Sequence, residues 1–498
     1  MWRDKTYKEK INAVCCMAVR VTGIIFVGYI FLQGLFTICL IQRVEEKTYY
    51  ISNNTVSQIT GIVLFCILTY FFAGKGLSEL IKRHGDTWFK LVFVLVLAAL
   101  GIWLLMTRFW YFGDMEKVYQ YAGMLNAGDF SGWLPGGYPY MWSQQNGLIL
   151  FVSLLLRFFD KDTSYIVFYF INLFFYGVMT VSFYSSMKTL FKDRDIYIIQ
   201  LLMLVLYFPY AFFITLLYGD VIGFSFGAAA AALLLKYLDT RRNVHIVLSC
   251  VCIIFAVIFK QNSLIIFVGA SIMLIHDMAV GFNKKKLLSC AVYIILALIG
   301  FGLPKVIIEQ AGGNKIDGGN SKWANIAMGL QECDKAPGWY NCYEEEVFAA
   351  NNYDGDATAA EAKRELAERL KYFAQNPGYA WEFINKKLAS EWNNPTFECF
   401  HIQNWRGSSI ELSGFVKSII NDGGKLNIIL IYILDICQSV VLFGVLMYLI
   451  GDDSQDLRRL FFIILFIGGF MFFTVWEAKC RYTVPFYLML IPYAWPGY

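Results

Sequence analysis

The chain has 498 residues, of which 58% are hydrophobic, 18% aromatic and only 16% charged. Soluble domains carry nearer a quarter charged residues, so the composition excludes an ordinary soluble enzyme and predicts a polytopic membrane protein. The net charge of +4 offers no footing for a nucleic-acid partner.

The opening stretch "MWRDKTYKEK" is basic, and the apolar run behind it, 13–41, is too long for a cleavable signal, so it reads as a retained first span. Apolar runs at 56–74 and 89–109 follow. The third ends in "RFWYFGDMEK", which sets Asp114 and Glu116 close to the lipid boundary. A loop from 110 to 163 comes next. Its apolar piece 147–159 is too short to cross a core of about 30 Å and reads as an interfacial helix. Spans are then expected at 164–187, 195–216, 221–238, 244–260, 262–278 and 287–307. Asp220, in "LLYGDVIGF", and Lys260, ending "IIFAVIFK", fall in the short turns between them.

Residues 308–426 are polar enough to form a small module. Within it, "DATAAEAKRELAERLKYFAQNP" predicts an amphipathic helix ended by Pro377, and "WEFINKKLASEW" a second one stopped by "NNP" at 393–395. Spans at 427–449, 459–476 and 481–497 complete a set of twelve, with Glu477 and Arg481 in the last short turn. Asp435 and Gln438 lie deep in one of these and predict a polar contact between helices.

Lys and Arg in the short loops set the orientation. With the N-terminus inside, the inner loops carry Arg3, Lys5, Lys188, Lys192, Arg194, Arg241, Arg242, "NKKK" at 283–286, Arg458 and Arg459, whereas the short outer loops are nearly bare. Both termini are then cytoplasmic, and Asp114, Glu116, Asp220, Lys260, Glu477 and Arg481 share the extracytoplasmic face. The expected fold is all-α and polytopic, with about 12 transmembrane helices and a mostly helical extracytoplasmic module. It divides into two N-terminal helices and a basic inner loop (1–88), a transmembrane core (89–307), the module (308–426) and C-terminal helices (427–498). Most cysteines lie in apolar runs and act as small hydrophobes. Cys333 and Cys342 could pair if the module faces an oxidising compartment.

Each charged residue has a bland reading. Asp114 and Asp220 suit helix N-caps, Lys260 could snorkel to headgroup level, and Arg481 could anchor the last helix. Their convergence from four separate turns points instead to a site, because ionisable groups near lipid are costly. The set suits a substrate with a phosphate head and a lipid tail. Lys260 and Arg481 would clamp the phosphate while a carboxylate takes a proton from an acceptor hydroxyl.

The stretch "GDMEKVYQYAGMLNAGDFSGWLPGGYPYMWSQQNG" (113–147), with "LYGD" (217–220), "KQNSLI" (260–265) and "EAKCRYTVPF" (477–486), resembles the GT-C superfamily of membrane glycosyltransferases. The likeness is to the branch of protein O-mannosyltransferases, the aminoarabinose transferase and their bacterial cell-surface relatives. It covers about 89–498. It implies a polyprenyl-phosphate sugar donor, a glycan, lipid or protein acceptor at the cell envelope, and a plasma-membrane location. Asp114 would be the catalytic base, with Glu116 and Asp220 beside it. Lys260, Glu477, Arg481, Tyr482 and Tyr138 would bind substrate. The two Asp carboxylates could hold a divalent cation, although no cofactor can be read from spacing. Met115 separates two acids that are often adjacent in that family. Two other readings remain open. One is a lipid-linked glycan polymerase or ligase using His401 and Arg406. The other is a transporter or flippase, for which no internal repeat is visible.

Overall fold

The computed structural model describes residues 7–41, 46–72, 75–191, 204, 207–313, 315–316 and 319–494. Arg3, Lys5, Lys192, Arg194 and half of the expected span 195–216 lie outside the described residues. The chain is a helical membrane protein: among the described residues, eight helices are long and apolar enough to cross a bilayer. Three shorter apolar helices accompany them, Thr55–Phe71, Ser143–Leu156 and Asn243–Phe259. Large apolar side chains such as Leu95, Ile102, Val247, Leu298 and Ile429 stay exposed, as they should where the solvent is hydrocarbon.

Helix Asp220–Thr240 is the most enclosed, packed between Lys161–Leu190 and Asn243–Phe259. Its "GAAAAA" run (227–232) lets the neighbouring backbones come close, the usual device where lipid gives helices no hydrophobic reason to associate. The first helix, Tyr7–Phe36, packs on the C-terminal helices Lys425–Gly451 and Phe461–Val475, and Thr55–Phe72 packs on the first of these. The N-terminal pair therefore flanks the C-terminal pair. Asp435 accepts from Asn53 (3.2 Å) and from Gln58, and Gln438 donates to the Trp392 carbonyl at 2.8 Å, so these residues join elements as expected.

Two expectations need correction, and the pairing left open for Cys333 and Cys342 is not formed. The first span stops at Phe36, and residues Thr37–Ile41 pair antiparallel with Thr48–Ser52 in register Thr37↔Ser52. The fold is therefore not purely α, because β-branched and aromatic residues in "TICLI" and "TYYIS" favour the pleated conformation. Next, 481–497 is not one continuous helix among the described residues. Cys480–Leu488 forms nine residues of helix with Pro485 inside, followed by a 3₁₀ turn at Ile491–Tyr493. Proline removes a helical donor and disrupts the ladder. Finally, Cys333 and Cys342 are both free thiols; the Cys333 thiol faces the Tyr340 carbonyl at 3.6 Å.

The module folds around a small core of its own, including Ala324, Leu330, Val347, Leu366 and Phe383. The two expected helices are Gly355–Gln375, whose Asp354 side chain caps the first turn, and Pro377–Trp392, which takes Pro377 at its start. The second is only half a module helix. Lys387 to Trp392 are buried, and Leu388, Trp392, Phe397 and Phe400 belong to the main core. The chain then returns to the first large loop, where Trp110 N–H donates to the Gly407 carbonyl at 2.8 Å.

Candidate functional site

Asp114 opens helix Asp114–Asn126, but it is not the cap. That position belongs to Gly113, whose φ of 59° favours glycine. The carboxylate is left free for another partner, and Tyr218 Oη donates to Asp114 Oδ2 at 2.5 Å. Glu116, two positions on, is exposed and does not line the cavity described below. Residues two apart on a helix point to nearly opposite sides, so both acids cannot serve one site.

Asp220 is likewise not a cap, since Gly219 precedes it and its side chain makes no capping bond. It is buried, and Lys260 Nζ lies 2.9 Å from Oδ1. Two glycines make this pairing possible. A Cβ on Gly219 would fall 1.8 Å from the Phe259 carbonyl, and one on Gly223 would fall 2.6 Å from Lys260 Cβ. The helix start can therefore lie directly against the turn that carries Lys260.

Lys260 Nζ sits 5.1 Å from the Tyr482 ring centre and 5.6 Å from that of Tyr218; Arg481 lies 5.4 Å from each. Two aromatic faces thus hold two cations in one place. Arg481 Nε is buried with no hydrogen-bond partner among the described residues.

The turn Trp476–Arg481 is fastened to the module by a residue that sequence reasoning missed. Lys387 is fully buried, and its Nζ donates to the carbonyls of Gly329 and Trp476, each at 2.5 Å. Burial lowers its ammonium to a pKa of about 8. Ala478 N–H donates to the Gly338 carbonyl at 2.7 Å beside it. Lys387→Ala strands two buried carbonyls, each costing about 1–3 kcal/mol. The expected result is a melting temperature several degrees lower in detergent; an unchanged melting curve would show that the anchor is dispensable.

These elements enclose a cavity of about 280 Å³ at the module-bearing end of the bundle. Of the residues expected at a site, Asp114, Tyr138, Lys260, Glu477, Arg481 and Tyr482 all line it, and Asp220 backs it through Lys260. Five acids and five bases line the walls. Those unforeseen are Glu46, from the linker before the second strand, with Lys322, Lys335, Glu344, Glu345 and Lys479; Trp339 lines the wall too, in "GWYNCY" (338–343), where aromatics beside Asn are expected from the sequence to suit stacking on sugar faces. Glu46 accepts from Lys335 at 2.5 Å and lies 4.0 Å from His401 and 3.9 Å from Lys479. The nearby His401 imidazole, with Lys479 and Lys335, holds the Glu46 carboxyl well below the usual carboxylate range. Burial pushes Glu477 upward, against the pull of Lys479, Arg481 and Lys260. Trp392 and Asn393 belong to "EWNNPTF" (391–397), whose aromatics and Asn are likewise expected from the sequence to suit sugar faces, but both are buried in the bundle instead.

Arg406 is buried and donates to the Thr215 carbonyl and hydroxyl at 2.6 Å each, so it fastens the fold rather than a glycan chain. Asp220 is committed to Lys260 and Asp114 to Tyr218. No group of three or more His, Cys, Asp or Glu suited to a metal occurs among the described residues. With Asp220 Oδ1 on Lys260 and Asp114 Oδ2 on Tyr218, the two aspartates are engaged separately rather than around one cation.

No protein-family model matches the chain, and no curated protein matches it at a significant level. The likeness to GT-C enzymes therefore rests on the four quoted stretches and on where their residues come together.

Proposed function

We propose that the protein is a membrane glycosyltransferase of GT-C type, moving a sugar from a polyprenyl-phosphate donor to an acceptor hydroxyl on a cell-envelope glycan, lipid or protein. The observation that carries this reading is one cavity, at the end of an apolar bundle, lined both by the Asp114 carboxylate and by the Lys260 and Arg481 cations. A lipid phosphate would lie with its tail among the helices and its head against the two cations. Asp114, oriented by Tyr218, takes the proton from the acceptor hydroxyl as that oxygen attacks the anomeric carbon. The bond from that carbon to the phosphate oxygen breaks, and its electron pair leaves on the phosphate. This group departs as a stabilised anion and needs no strong acid. Asp220 keeps Lys260 charged and in place. Lys and Arg distribution supports an orientation with both termini cytoplasmic and the cavity extracytoplasmic, and the proposed envelope chemistry favours a plasma membrane over an endoplasmic-reticulum membrane of the same topology.

The test is mass spectrometry of envelope glycans and lipid-linked sugars from cells with and without the protein. One sugar modification should vanish while its monosaccharide–lipid donor accumulates. An unchanged envelope, or a build-up of oligosaccharide–lipid, would reject the reading in favour of a ligase or transporter.

A further inference from the structure

The module's side of the cavity carries two buried polar groups that the proposed chemistry does not use. Glu344 is 3% exposed and its Oε2 has no hydrogen-bond partner among the described residues; Trp339 is 1% exposed and its Nε1 also has none. Both line the cavity. A buried polar atom left unpaired is destabilising, and a hydrogen-bonding ligand would recover that cost. Their positions are firmly set. Asn320 donates to the Glu344 backbone carbonyl at 2.5 Å, the Gly338 turn that precedes Trp339 is tied to Ala478, and Lys479 Nζ covers the indole at 5.3 Å.

We infer that this wall is a subsite for an uncharged sugar of the acceptor, with Trp339 Nε1–H and the Glu344 carboxyl binding its hydroxyl groups. The assignment rests on the transferase reading and narrows its acceptor to a neutral glycan end. The donor's phosphate belongs to the part of the cavity lined by Lys260 and Arg481. A sugar hydroxyl both donates and accepts, and a carboxyl that keeps its proton does the same. Burial, with the Glu477 carboxyl that shares the cavity, raises Glu344 to a pKa of about 8; Glu345 on its own helix adds to this, and Lys322 opposes it. Glu344 is therefore neutral at pH 7 and a hydrogen-bond donor. Above pH 8 it loses the proton, the donor disappears, and a further negative charge faces Glu477. A uronate-bearing sugar would bring the same unfavourable charge and should be excluded.

The test uses the full-length protein in nanodiscs and a panel of neutral and uronate oligosaccharides, with binding read by calorimetry and saturation-transfer NMR. Neutral saccharides should bind at pH 6.5 and weaken at least about tenfold at pH 9.5, where ionised Glu344 outnumbers the neutral form roughly thirtyfold. Glu344→Gln, which keeps a donor and cannot ionise, should retain binding and remove its pH dependence. Trp339→Phe should weaken binding without changing that dependence. Wild-type binding that is absent or pH-independent, or a pH dependence that survives in Glu344→Gln, would overturn the assignment. Glu116→Gln, exposed and outside the cavity, should bind saccharide normally. If pH-dependent binding persists but no transfer is ever seen, the subsite stands and the transferase reading falls.

Discussion

In the Asp114→Asn protein, sugar transfer should fall by roughly 10²–10⁴-fold, the usual contribution of a general base. Insertion and melting temperature should stay close to wild type. The substitution is nearly isosteric, and the Tyr218 hydroxyl can still donate to the amide oxygen at the position where it now meets Oδ2. Glu116→Gln is the internal control. Its side chain is exposed and outside the cavity, so transfer should be unaffected. Full activity in Asp114→Asn would remove Asp114 from the mechanism. A loss in Glu116→Gln equal to that in Asp114→Asn would mean that helix Asp114–Asn126 presents a different face to the substrate.

Lys260→Ala should combine two losses that a second substitution can separate. It leaves Asp220 buried and unpaired, and removing one partner of a buried ion pair costs about 3–5 kcal/mol. It also removes half of the proposed phosphate clamp, so KM for the donor should rise more than kcat falls. Replacing both partners, Lys260→Met with Asp220→Asn, eliminates the stranded charge and should restore most of the melting temperature. Donor use should remain poor. If it recovers with stability, Lys260 serves only to neutralise Asp220, and the clamp falls to Arg481 alone. Arg481→Lys then becomes informative, because a lysine keeps the charge but loses the planar fork that binds two phosphate oxygens at once.

Much of this site was legible in the chain because charge near lipid is expensive. Asp114, Asp220, Lys260, Glu477 and Arg481 stand out in an apolar sequence, and each falls in a turn at the same membrane level. Their separation by as much as 367 positions hid their contacts but not their common level. Glu116 could have been excluded from the same sequence. A helix beginning at Asp114 turns the residue two positions later to the other side, and that signal was outweighed by the appeal of an acidic pair.

Apolar run length, cationic loops and proline or glycine stops determined the class of the protein, most of its spans and the two main helices of the module. Each of these depends on local chemistry: the width of a bilayer, the cost of moving charge across it and the period of a helix. Glu46, Lys322, Glu344 and Lys387 entered the site only through the tertiary structure. They come from a strand linker and from a module whose polar composition marks it as water-soluble throughout, so nothing local distinguishes a wall of the cavity from a solvated surface. Whether Lys387 is buried beneath the turn Trp476–Arg481, and whether Glu344 keeps its proton, depends on what packs over them. That packing is set by long-range contacts between the module and the last helices, and desolvation by distant segments leaves no mark in the residues it acts on.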